Sequence, residues 1–318
     1  MTARIQIAKG RTVHPLDVGY RVILYAAAAV ILVTLGAILL ILFDSGRVAF
    51  EEFGLAFVWT NQWNPVKDLY GAAPAIVGTL ATSLIALVIA WPLGFGIAYA
   101  LTEICPAQVR TPLGVLVELL AAVPSIVYGM WGFFVLAPVM SNSIQPWLTA
   151  TFAFLPPVGD FYWFTGPPFG VGLMTASIIL AIMILPFIVA ATRDVLQTVP
   201  QILKDGGYAM GATRWEVVTG IVIPAVRGSL FGAVFLGLGR ALGETMAVTF
   251  VIGNANRLPD SFFAPSASIA SIIANEFPDA DQGSLKLAAL FALGFILFVV
   301  SFFVLALARL LLRQGRLA

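Results

Sequence analysis

The chain has 318 residues, 60% of them hydrophobic and 10% charged, with a net charge of +1 and a mean hydropathy of +0.98. Soluble domains carry about 25% charged residues, and no single water-soluble core of this size hides so much apolar surface; lipid is therefore the solvent for much of the chain. The near-neutral balance gives no electrostatic case for nucleic acid, and the single cysteine, Cys105, excludes an intrachain disulfide and a multi-cysteine metal site. The single histidine, His14, lies in a polar N-terminus and reads as a solvated residue, which leaves histidine catalysis and zinc chemistry without ligands.

A helix needs about 20 apolar residues to cross the hydrocarbon core. Six stretches are long enough: residues 22–43, 78–101, 113–140, 171–192, 226–252 and 287–308. The first is too long for the ~7–15-residue apolar region of a cleaved signal, and no A-x-A site follows it. The stretches divide the chain into an N-terminal segment (1–20), a first span with its external segment (21–73), a block of five spans (74–312) and a tail (313–318). Residues 44–77 carry Trp59 and Trp63, and residues 141–170 are rich in proline and aromatic side chains. This composition predicts anchoring at the headgroup level. Within 266–277, Ile269, Ile272, Ile273 and Phe277 recur at helical spacing, which predicts a short amphipathic helix outside the membrane, packed on the bundle or meeting a partner. Pro92, Pro124, Pro186 and Pro224 each predict a bend.

With the N-terminus inside, twelve of the 17 Lys and Arg residues fall on inner segments and four on outer ones, with Arg240 inside a span. That bias predicts that both termini are cytoplasmic. Arg227 sits at the inner end of its stretch; Glu118, Arg240 and Glu244 are the charged residues well inside the spans. Each costs about 2.5–3.5 kcal/mol at the bilayer centre. Arg240 lies about 21 Å into its helix, too deep to reach the interface comfortably. Glu244 follows at i+4 and is expected to pair with it. Ser229, Ala233, Gly237, Arg240, Glu244 and Ala247 form one small, polar stripe, and Glu118, Ala122, Ser125, Gly129 and Gly132 form another. Such stripes suit close helix packing and equally the wall of a hydrated path. On the second reading, the planar guanidinium of Arg240 meets an oxyanion, while Glu244 holds it in place and keeps the anion from binding too tightly.

Residues 193–225 form the longest inner loop, a helix–turn–helix: residues 199–210, a break at Gly211 and Ala212, then a capping box over Thr213-Arg214-Trp215-Glu216. Asp205-Gly206-Gly207-Tyr208-Ala209-Met210-Gly211, nine residues, then Ile221-Val222-Ile223-Pro224 resembles the EAA loop of ABC importer permeases, E-A-A-x-x-x-G, nine residues, I-x-L-P. Gly211, Ile221 and Pro224 match in type and spacing. Asp205 stands for Glu, Gly206 and Gly207 for the alanines and Ile223 for Leu. The resemblance implies a coupling helix seated on a separate ATPase. No G-x-x-x-x-G-K-[ST] occurs in the chain, so the expected ATP and Mg belong to that partner and the chain itself carries no cofactor and no catalytic site.

Residues 57–65 and 71–83, the run 118–129 and the run 239–248 resemble PstC-type phosphate permeases. The resemblance implies an all-α membrane protein with six transmembrane helices, type I ABC importer permease architecture and an N-in/C-in topology in a bacterial inner membrane. Its implied function is half of the pathway of an ATP-driven phosphate importer. The implied partners are a PstA-like permease, a PstB-like ATPase dimer and a PstS-like binding protein. The alternatives are a permease for another oxyanion, such as phosphonate or molybdate, an ion-coupled secondary transporter using Arg240 and Glu244, and a regulatory membrane component.

Overall fold

The computed structural model describes residues 15–314 apart from Ala153. His14, most of the N-terminal segment and the end of the tail lie outside the described residues. Six helices are long and apolar enough to cross a membrane, one for each predicted span. In chain order the elements are α1 (Pro15–Phe53), α2 (Ala73–Ile104), α3 (Ala107–Ala122), α4 (Ser125–Phe152), α5 (Leu173–Gln197), α6 (Gln201–Ala209), α7 (Arg214–Leu242), α8 (Met246–Val251), α9 (Ile269–Glu276) and α10 (Leu285–Gln314). A short helix at Ala56–Trp59, a tighter helical turn at Phe277–Asp279 and isolated β-bridges accompany them.

The spans are longer than their apolar runs. Polar residues past position 43 continue α1 because Arg47 pairs along the helix with Asp44 and Glu51, the i,i+3 and i,i+4 spacings that support an exposed turn. Two predicted spans are broken, which corrects the sequence reading. The third is interrupted at Val123 (φ −66°, ψ 128°), which precedes Pro124. The Pro ring pushes the preceding residue out of the helical region. The fifth ends at Leu242, and residues 243–245 turn the chain before α8 begins. Pro92 and Pro186 leave α2 and α5 unbroken.

At the centre α5 packs against α2, α7 and α3. Ala86 and Ala90 of α2, Ile184 and Ile188 of α5, and Val248 and Val251 of α8 share one buried cluster. Ile188 fits between Gly94 of α2 and Gly237 of α7, where a Cβ would stand 2.8 Å from it on either side. A second cluster joins α1, α9 and α10 with Phe57, Trp63 and Tyr70. Trp63 is therefore a core residue, not a headgroup anchor. Its Nε1 donates to Glu276 Oε1 at 2.8 Å, a bond that satisfies the indole when the ring is buried. Trp59 stays exposed.

The helix predicted in 266–277 is α9, and it packs on the bundle. Ile269 and Ile272 are buried, a capping box at Ser268 opens the helix, and the Ile269 amide donates to Thr79 Oγ1 of α2 at 2.9 Å. Gly78 makes this docking possible, because a Cβ there would lie 2.0 Å from the Ala267 carbonyl oxygen.

Candidate functional site: the α7 cleft and the α6 loop

The α6 loop forms as its sequence predicts. Gly211 ends α6 in the left-handed region (φ +86°), where the absence of Cβ removes the steric cost. Thr213 caps α7: its Oγ1 accepts from the Glu216 amide at 3.4 Å, and Glu216 Oε2 accepts from the Thr213 amide at 2.8 Å. The helix then runs through Ile221 and Pro224, with one turn of wider winding at Val218–Val222 just before the proline. Such a turn accommodates a residue that gives no backbone hydrogen bond.

The two halves of the motif touch. A Cβ on Gly207 would lie 2.6 Å from Ile221 Cδ1 and 2.9 Å from Val217 Cγ2, so the small residue lets α6 lie against the start of α7. Asp205 and Gly206 are exposed, with Asp205 Oδ1 accepting from Gln201 Nε2 at 3.0 Å. Ile202, Met210 and Trp215 are exposed apolar side chains on the same loop.

The second constellation is at the end of α7. Phe187, Leu236, Gly239, Arg240, Gly243 and Glu244 line an open cleft of about 500 Å³. Arg240 is exposed, and its guanidinium carbon lies 4.4 Å from the centroid of the Phe187 ring, an attractive arrangement for a cation over an aromatic face. The predicted Arg240–Glu244 ion pair is not formed. Arg240 makes no salt bridge among the described residues. The i+4 relation fails because the helix ends between the two. Glu244 is instead buried, and its Oε1 accepts from the Ala247 amide at 3.2 Å, at the opening of α8.

The stripe through Glu118 does not exist as one face. Glu118 belongs to α3, and its Oε1 lies 2.8 Å from Arg193 Nη2 of α5. Ser125 opens α4 beyond the break, half-buried. Gly129 and Gly132 are packing positions: a Cβ on Gly129 would stand 3.0 Å from Ala247 Cα, and one on Gly132 2.8 Å from Ile179. In the α7 stripe Ser229 is exposed while Ala233 and Gly237 are buried. The structure thus brings Arg240 and Glu244 to one cleft, whose lining does not include Glu118, Ser125 or Ser229.

Sequence reasoning missed three partners. Phe187 and Arg193 are distant in sequence from the residues they hold. Lys204, 101 residues from Glu103, forms a largely buried ion pair with it. No periodicity marks such long-range pairs; the only available signal was Lys204 falling in a helix that otherwise reads as surface.

A bundle of six apolar helices with a helix–turn–helix loop before the fifth is the architecture of an ABC importer permease. Residues 92–316 match the family model described as binding-protein-dependent transport system inner membrane component, and the chain belongs to that family. Within it the chain is a PstC-type permease. It is 51% identical over 289 residues to the phosphate transport system permease protein PstC of Mesorhizobium japonicum, covering 91% of this chain and 88% of that one. It is 50% identical over 301 residues to the PstC of Pasteurella multocida, covering 95% and 93%. Among solved structures it resembles a chain of a bacterial ABC transporter involved in the import of the acidic polysaccharide alginate, with a TM-score of 0.53 and 17% identity over 91% of this chain and 96% of that chain. At that identity the likeness concerns the fold alone.

Proposed function

We propose that the chain forms half of the translocation pathway of an ATP-driven importer of inorganic phosphate. The observation that carries the reading is a guanidinium exposed in an open cleft and not closed off by a carboxylate. Phe187 lies 4.4 Å from the Arg240 guanidinium carbon, and no salt bridge takes up its N–H edges among the described residues. Those edges form the planar fork that suits phosphate oxygens. Glu244, buried beside it with one oxygen on the Ala247 amide, places a carboxylate near the same path. A nearby negative charge keeps an anion from being held, as passage requires. The kinship with phosphate transport system permeases at about half identity supports phosphate over other oxyanions.

The pathway is completed by a PstA-like permease facing the open side of the cleft. A PstS-like binding protein delivers phosphate at the outer face. A PstB-like ATPase dimer, which binds ATP and Mg, docks on the α6 loop, where Ile202, Met210 and Trp215 offer exposed apolar contact. Both termini and the α6 loop then lie on the cytoplasmic side of a bacterial inner membrane, in accord with the distribution of Lys and Arg. Closure of the ATPases on ATP pushes the loop, and the spans alternate between outward and inward access.

The test is phosphate uptake by the assembled transporter in liposomes. Arg240→Ala should abolish ATP-dependent uptake while the complex still co-purifies, and Arg240→Lys should restore little, since an ammonium cannot reproduce the fork. Normal uptake by a fully assembled Arg240→Ala transporter would refute the role. Competition with phosphonate and molybdate in the same vesicles separates phosphate from the other oxyanions.

A further inference from the structure

At the loop end of the bundle lies an ion pair outside the cleft and outside the motif residues. Lys204 Nζ of α6 stands 2.5 Å from Glu103 Oε1 in the last turn of α2, and the two side chains are only 9% and 13% exposed. Lysine and glutamate are rarely buried without a partner. Separating these two would break the contact that neutralises both charges at a largely desolvated site, and losing one partner of such a pair is destabilising. The receiving end is fixed by Arg110, whose Nη2 donates to the Thr102 carbonyl at 2.7 Å. The delivering end is fixed by Gly207, which seats α6 on Val217 and Ile221 of α7.

We infer that the Lys204–Glu103 pair makes α6 and the end of α2 move as one body, so that a push on the loop reaches the second span as well as the fifth. This rests on the reading of the loop as the ATPase contact. Covalent continuity carries the push from α6 into α7 across Gly211 and Thr213. Nothing covalent joins α6 to the end of α2; the charged pair links the two directly, beside the apolar cluster that holds Ala98 and Leu101 with Val199, Val217 and Val222. The energetic reason is the penalty of pulling the pair apart. Lys204 and Glu103 are therefore positioning residues for energy coupling, and neither meets the transported ion.

The experiment uses the complete transporter in liposomes and reads phosphate carried per ATP hydrolysed. Lys204→Met and Glu103→Gln should each lower that ratio while ATP hydrolysis continues. In a Cys105→Ser background, Lys204→Cys with Glu103→Cys should be uncoupled when reduced. A short bis-methanethiosulfonate cross-linker, which forms a reducible disulfide with each cysteine thiolate and releases methanesulfinate, should restore the ratio, because a covalent tie replaces the ionic one. A polar cleft of about 510 Å³ beside the pair admits the reagent. Wild-type ratios in the single variants, or transport arrested by the cross-link and released by reduction, would overturn the inference. Absence of ATP-driven phosphate uptake by the wild-type complex would instead overturn the functional reading beneath it.

Discussion

Replacing Gly78 by alanine tests the docking of α9 on α2 in a single methyl group. The new Cβ would stand 2.0 Å from the Ala267 carbonyl oxygen and 2.9 Å from Ser266 Oγ, whereas real Cβ atoms essentially never approach within 3.0 Å. The obstacle is backbone, not the tip of a flexible side chain, so residues 266–268 must move by about 1 Å, the strain of an overpacked core. That shift pulls the Ile269 amide from Thr79 Oγ1, now 2.9 Å apart. Overpacking costs about 2–3 kcal/mol and the lost hydrogen bond about 1 kcal/mol, offset by about 1 kcal/mol from replacing a helical glycine; the net loss is about 2–3 kcal/mol. Gly206→Ala is the control, because nothing lies within 4 Å of a Cβ there, and the same chemical change should stabilise α6 by about 0.5–1 kcal/mol. Thermal unfolding of the purified protein in detergent reads both. Unfolding of Gly78→Ala at the wild-type temperature, or a shift of the two variants in the same direction, would refute the steric account of this docking.

Trp63→Phe keeps one aromatic ring in the cluster but removes the donor to Glu276 Oε1, and should cost at least about 1.5–3 kcal/mol in the same unfolding assay, the amount expected for a hydrogen bond to a charged group. Burial, reinforced by the hydrogen bond to Asp68, pushes the Tyr70 phenol up to about 12 from 10.0. In the unfolded chain it ionises near its ordinary value. Its contribution to stability is then complete below pH 10 and lost as pH rises through about 12; an alkaline unfolding series should show this fall, and Tyr70→Phe should remove it. Met210 is 88% exposed on the loop. Met210→Cys, in a Cys105→Ser background, should react with an impermeant maleimide only from the cytoplasmic face. Labelling from the outer face would invert the proposed topology.

The sequence by itself determined the number of spans and the local chemistry of the α6 loop. Apolar runs near the length of the bilayer have no other solvent, and a capping box with a glycine stop is satisfied within one turn. Gly211 and Thr213 therefore act as predicted without help from the rest of the chain. The breaks were less legible. Pro92, Pro124 and Pro186 look alike in sequence, yet only Pro124 interrupts a helix. Around Pro92 and Pro186, α2 and α5 are locked to each other by Ala86, Ala90, Ile184 and Ile188, so packing holds the helix through the missing bond. The largely exposed α3 has no such support before Pro124. The same limit misassigned Arg240. A helical wheel places Glu244 on its face only while the helix continues, and the chain turns at Gly243. Which side chains meet across distant segments, Phe187 with Arg240, Arg193 with Glu118 and Lys204 with Glu103, was decided by tertiary structure alone, because such contacts depend on how helices far apart in sequence pack together.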